Sequence, residues 1–367
     1  MTRRTLYRDS ELREGYDPAD YRTFAQSFDF KTFLEFISKG SDSPRVFADW
    51  DAQARHDAGI GFATTEYMRK VLESGRSFVG VMGGHSLHRT DEGYRLIAEL
   101  ALKLTQHGYV VFSGGGPGAM EACHLGAYFA NSTSTEFQAA LADLAAYPNQ
   151  PSYADAYDNA TGALETGAKA DAALKAISAW YNAALTACSR ASGPPGESLA
   201  IPTWVWGSEP TNPFATCYAK FYQDGLREQN LIKLVQAGMV FAHGGGGTMR
   251  ELFQLIENNY YATSPDKFIP MIFADPGDFW RRHPALAPNG DRTADYIDVR
   301  GVLQDTFDSG IADAGMREAC MKKVVYTTDF NEILAVLSAQ KPAADANLTT
   351  LVAHGGRALR ENVSRRR

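Results

Sequence analysis

The hydrophobic pattern changes its period along the chain, and each change marks an element. Over residues 1–76 charged and aromatic positions intermix, with Tyr16, Tyr21, Phe24, Phe28, Phe30, Phe33 and Phe36 spaced as in short amphipathic helices. From Ser77 the pattern is different. Phe78-Val79-Gly80-Val81-Met82 is a continuous apolar run ending in Gly83-Gly84, which predicts a buried strand and a turn. Tyr94, Ile97, Ala98, Ala101, Leu102 and Leu104 then repeat with a helical period across 90–107. Gly108 stands where a helix C-terminus favours a left-handed residue, and Tyr109–Phe112 predicts the next strand. That strand runs into Gly114-Gly115-Gly116-Pro117-Gly118 and a further helix reaching about Asn131.

Strand, helix, strand, glycine turn and helix in this order predict a doubly wound, Rossmann-like α/β fold. Its sheet is mostly parallel with helices on both faces, because parallel strands need crossover helices. Residues 131–200 are alanine-rich with helical periodicity, interrupted by Pro148, Pro151 and Pro194-Pro195. That is far longer than an ordinary βα connection and reads as a helical insertion. The alternation resumes with a strand at Ile201–Trp206, a helix within Tyr218–Gln236 and a strand at Met239–Ala242. A second glycine turn, His243–Thr248, opens a helix from Met249 to about Tyr261. Phe268–Phe273 and Val324–Tyr326 are further strands, with helices near 300–309 and from Phe330 to about Ser338. The expected organisation is an N-terminal helical segment over 1–76, acting as a cap or in self-association, and a Rossmann domain over 77–338. The helical insertion 131–200 interrupts that domain, and a loose tail follows over 339–367.

Composition narrows the class of ligand. The 367 residues are 44% hydrophobic and 22% charged, as in a protein that buries a full core, and the formal net charge of −7 lacks the basic footprint of a nucleic-acid binder. Charged residues follow the basic N-terminus where a signal peptide needs an apolar core, and no apolar stretch approaches a membrane span. The four cysteines, Cys123, Cys188, Cys217 and Cys320, show no zinc-ligand spacing. The expectation is a cytoplasmic protein with a small-molecule ligand or a protein partner, no nucleic-acid or membrane partner, and no metal site.

The two glycine turns carry the candidate chemistry. Glycines let backbone approach a ligand closely, and the first N–H groups of the helix that follows point outward with the positive end of its dipole. Neither turn is the G-x-G-x-x-G dinucleotide fingerprint, and neither is followed by the Lys-Ser/Thr of a P-loop.

Phe112-Ser-Gly-Gly-Gly-Pro-Gly-Ala-Met-Glu-Ala122 and Gly244-Gly-Gly-Gly-Thr-Met-Arg-Glu251 resemble the paired signatures of the LOG family, also called the lysine decarboxylase family. Against that family's P-G-G-x-G-T-x-x-E, Gly244, Gly245, Gly247, Thr248 and Glu251 match, while His243 stands for the proline. Glu209-Pro-Thr-Asn-Pro-Phe214 and Pro270–Trp280 resemble further family segments, so the likeness covers roughly 77–130 and 201–338. The resemblance implies hydrolysis of the N-glycosidic bond of a nucleoside 5′-monophosphate, giving free base and ribose 5-phosphate. It implies no cofactor, and a homodimer or larger homo-oligomer.

On that likeness Glu251 and Arg227 are the catalytic pair, although Glu228 follows Arg227 where the family usually has lysine. Phosphate and substrate would be held by Gly83, Gly84 and Ser86 after the first strand. Gly114, Gly115, Gly116, Gly118, Met120 and Glu121 would serve from the first turn, and Gly244, Gly245, Gly246, Gly247 and Thr248 from the second. Each has a structural alternative. Thr248 and Glu251 also have the T-x-x-E spacing of a capping box, Arg227 fits a surface helix, and Glu121 fits a complement to a helix N-terminus. Arg89 would reach the ligand from the loop after the first strand. A nucleotide sensor on the same fold, coupling occupancy to a protein partner, is the competing function. Lysine decarboxylation is a poor third, since no lysine stands in either signature.

Overall fold

The computed structural model describes residues 3–274, 276, 279–280 and 298–340. The chain opens with α1 (Asp9–Leu12), a 3-10 turn at Tyr21–Gln26, α2 (Phe28–Ser38) and α3 (Phe47–Glu73). Then come β1 (Ser77–Met82), α4 (Glu92–Gln106), β2 (Tyr109–Ser113) and α5 (Ala119–Tyr128). The insertion contributes α6 (Ser134–Ala145) and α7 (Ala168–Cys188), followed by β3 (Ser198–Ala200) and β4 (Cys217–Tyr218). Next are α8 (Asp224–Leu234), β5 (Gly238–Phe241), α9 (Gly246–Tyr260) and β6 (Met271–Phe273). The last described elements are α10 (Val299–Gly310), α11 (Ala314–Met321), β7 (Val324–Tyr326) and a helix over 330–340, α12.

The strands form one seven-stranded sheet in the order β4-β3-β2-β1-β5-β6-β7. The registers are parallel, for example Val81 with Val240, Phe112 with Leu199 and Phe241 with Phe273. This is the expected doubly wound α/β fold. Every residue of β1, β2 and β5 is buried, which is why these strands read as unbroken apolar runs. By contact the chain divides into two compact units, Met1–Tyr67 with His85–Leu231 and Met68–Gly84 with Ile232–Arg367.

In the first unit α4 packs on α5 so closely that a Cβ on Gly126 would run into the backbone of Ala98. The N-terminal aromatics cluster with the insertion: Phe24 meets Tyr181 at 5.8 Å between ring centroids, and Phe33 meets Tyr157 at 5.3 Å. Tyr7 exchanges both backbone hydrogen bonds with Tyr218 of β4, at 2.9 and 3.0 Å, and so covers part of the sheet edge.

Three details differ from the sequence pattern. The strand expected at Ile201–Trp206 lies earlier, at Ser198–Ala200. Ile201 still donates its N–H to Ser113, and beyond it the pairing continues only as an isolated bridge of Thr203 with Phe221. The expected helix within 218–236 begins only at Asp224, because Cys217–Tyr218 pairs with β3. In place of short helices only, the N-terminal segment includes α3, which runs for 27 residues. Apart from residues 339 and 340, the expected tail lies outside the described residues. Among the described residues no helix is long and apolar enough to cross a membrane.

Candidate functional site

The first glycine turn, in the first unit, is an enclosed structure. Gly114 to Gly118 are all buried. Gly115 (φ 82°) and Gly118 (φ 66°) hold the left-handed conformations that only glycine adopts without strain. A Cβ on Gly115 would lie 2.8 Å from the Ala200 side chain, and one on Gly114 would strike the Arg227 guanidinium and the Met120 sulfur. The turn is held from outside by Asn212, whose Nδ2 donates to the carbonyls of Gly115 (2.8 Å) and Gly116 (3.2 Å). Thr211 beside it accepts from Lys220 at 2.9 Å and donates to Asp29 of α2 at 2.9 Å. Lys220 is fully buried; burial pulls its ammonium pKa down against the pull of the Asp29 carboxylate 2.6 Å away. A chain of buried polar contacts thus runs from the N-terminal segment to the glycine turn.

Arg227 projects from α8 and is 8% exposed. Its Nε donates to the Ile201 carbonyl at 3.0 Å, and Nη1 donates to Glu228 Oε1 at 2.5 Å. The glutamate that stands where the resembling family has lysine is therefore the counter-ion of the candidate catalytic arginine.

Beside this turn lies a cavity of about 740 Å³. Its walls come from the loop after β1 (His85 to Arg89, including Ser86), from Pro117, Gly118 and Glu121, from Glu209, and from insertion residues such as Asn149, Tyr153 and Trp180. Glu121 is completely buried and bound on both oxygens. Arg89 donates Nη2 to Oε1 (2.6 Å) and Nε to Oε2 (2.8 Å), and the Tyr94 hydroxyl donates to Oε2 at 2.9 Å. The Arg89 guanidinium also lies 3.9 Å from the centroid of the Trp180 ring. The pair neutralises itself, so Arg89 serves Glu121 and Trp180.

Glu209 carried no role in the sequence reading beyond its place in a family-like segment. Its Oε1 lies 3.3 Å from His85 Nδ1, and its Oε2 lies 3.3 Å from where a Cβ on Gly116 would sit. Burial raises the carboxyl pKa, while His85 and Arg227 work to lower it. No local pattern marks such a carboxylate, because its partner is distant in the sequence.

The second glycine turn, in the second unit, is open. Gly84 donates its N–H to the His243 carbonyl at 2.8 Å, joining the end of β1 to the turn after β5. His243 stacks on Phe279, ring centroids 4.2 Å apart. Gly245, Gly246 and Gly247 are exposed, and among the described residues a Cβ on any of them would meet nothing within 4 Å. Gly244 is crowded, by the Thr248 side chain and, at 2.9 Å, by the Gly84 nitrogen. α9 starts at Gly246 with Gly245 as its N-cap, so Thr248 is the third helical residue and caps nothing. The T-x-x-E capping box therefore does not form, and Glu251 sits in the second turn of the helix, where the sequence reading placed it in the first. Both Thr248 and Glu251 are buried. Their burial near a glycine start, with no capping duty, is the local fact about the second signature.

Of the sequence-predicted residues, Gly114, Gly115, Gly116, Met120 and Arg227 come together at the first turn, with Ser86, Gly118 and Glu121 on the adjoining cavity. Gly84, Gly244 and Thr248 come together at the second, Gly83 lies just before Gly84, and Glu251 follows on α9. No family model matches the chain, and no curated protein matches it.

Proposed function

We propose that this protein hydrolyses the N-glycosidic bond of a nucleoside 5′-monophosphate, releasing base and ribose 5-phosphate, in the manner of the LOG family it resembles. The observation that carries the reading is the uncovered start of α9. Among the described residues, its three exposed glycines leave the first helical N–H groups and the positive end of the dipole accessible to a phosphate, with no side chain in the way. The cavity of the first unit has the volume of a small-molecule site. In this reading Glu251 binds the ribose hydroxyls and stabilises the oxocarbenium-like transition state, while Arg227 supplies positive charge toward the substrate. The protein works in the cytoplasm as a homodimer or larger homo-oligomer.

The test is incubation with AMP, GMP, CMP and UMP, followed by assay for free base. Release is expected with at least one of them, with a loss of about 100-fold or more in Glu251→Ala. Base release at an unchanged rate in that variant would overturn the assignment of Glu251.

One observation favours a second reading, a nucleotide sensor. Arg227 is already neutralised by Glu228, which suits a binding charge better than a catalytic one. A sensor would show ligand-dependent thermal stabilisation and no released base.

A further inference from the structure

Breaking an N-glycosidic bond has a second requirement that neither Glu251 nor Arg227 meets. The departing base carries off the bonding electron pair and is a poor leaving group unless its ring nitrogen is protonated, so a positioned acid is worth roughly 10²–10⁴ in rate. The cavity of the first unit is lined by four carboxyl groups, Glu121, Asp158, Glu165 and Glu209. Glu121 accepts from Arg89 and Tyr94 on both oxygens and is locked as an acceptor. Asp158 accepts from the backbone N–H groups of Ala160 and Thr161 and from the Thr161 hydroxyl, which hold it ionised with a lowered pKa. Glu165 is exposed. Glu209 is the one that is partly withdrawn from water, flanks the first glycine turn, and has an imidazole against one oxygen.

We propose that Glu209, held by His85, is the proton donor to the departing base; this rests on the phosphoribohydrolase reading. The Glu209 carboxyl gives its proton to the base nitrogen as the bond from the ribose anomeric carbon to nitrogen breaks, and the electron pair of that bond stays with the base. The oxygen of a water molecule forms the new bond to the anomeric carbon. The proton this water sheds restores Glu209, directly or through His85. The sum is addition of one water molecule, with nothing oxidised or reduced. The raised pKa of the Glu209 carboxyl favours the protonated form this step needs, with His85 and Arg227 the charged groups that oppose it.

A leaving group that is already cationic departs neutral and needs no proton. Nicotinamide mononucleotide and 7-methylguanosine 5′-monophosphate are such substrates, and GMP and AMP are not. The experiment compares wild type, Glu209→Gln and His85→Asn on both kinds of substrate, with melting temperatures as a check on folding. In Glu209→Gln, cleavage of GMP or AMP should fall by about 100-fold or more, while cleavage of the cationic substrates stays within a few-fold of wild type. His85→Asn should show the same selectivity with a smaller loss. An equal loss on both substrate kinds would make Glu209 a structural residue and overturn the proposal, as would wild-type cleavage of GMP or AMP by Glu209→Gln. A wild-type protein that releases base from none of these substrates overturns the phosphoribohydrolase reading as well, so the two failures are distinguishable.

Discussion

Both glycine turns leave the C-terminal end of a parallel strand and lead into a helix, yet their glycines solve different problems. At the first turn glycine is required because neighbouring atoms occupy the space a side chain would need: Ala200 against Gly115, and Arg227 with Met120 against Gly114. Positive φ at Gly115 and Gly118 adds a conformational demand. At the second turn Gly245, Gly246 and Gly247 have open space around them among the described residues, and no left-handed backbone. There the protein forgoes packing and leaves a helix end bare. A glycine cluster read from sequence alone has the same appearance in both cases. On the proposed reading the phosphate lies at the second turn, while the first packs tightly against Arg227, Met120 and Ala200.

Substitution by alanine separates the two most sharply. Gly115→Ala should destabilise the protein by about 3 kcal/mol, from the forced positive φ plus the overlap with Ala200, and denaturant melts would show it as a lower midpoint. A loss below about 1 kcal/mol would mean that the first turn is as tolerant as the second. A carboxylate introduced at the open turn is the next largest effect. Gly246→Glu should weaken binding of ribose 5-phosphate by about tenfold, measured by titration calorimetry, with the melting temperature preserved because an acid suits a helix N-terminus. Unchanged affinity would remove the phosphate from that turn. The smallest effect carries the opposite sign: Gly247→Ala should stabilise by up to about 1 kcal/mol, since it adds helix propensity where nothing is crowded. Destabilisation there would show that the open turn is constrained after all.

How far the sequence reading reached follows from the range of the interactions involved. β1, β2 and β5 were legible because strands buried on both faces are written as contiguous apolar runs, and α4 because its buried Tyr94, Ile97, Ala98, Ala101 and Leu104 keep a helical period. β3 and β4 were misread because they are short, and past Ala200 the pairing continues only as the isolated bridge of Thr203 with Phe221. Thr248 shows the limit of motif spacing, since T-x-x-E fits a capping box until the preceding glycines start the helix two residues earlier. At the first turn the glycines and Arg227 were visible from their motifs. The Asn212 clamp, the Arg89–Glu121 pair and the His85–Glu209 contact join distant parts of the chain, so no local pattern announces them.

The strand-like pairing of Tyr7 with Tyr218 has a consequence in time. Arg8, the next residue, donates to the carbonyl of Thr216, 208 positions further on. At a ribosomal pace of about 5–20 residues per second, the N-terminal segment waits roughly 10–40 s for this partner to emerge. For the first part of that interval, until Tyr153, Tyr157 and Tyr181 are made, the aromatic faces of Phe24, Phe30 and Phe33 have no insertion to cover them. This segment is made well before the strand that completes its pairing, and so it finishes folding late.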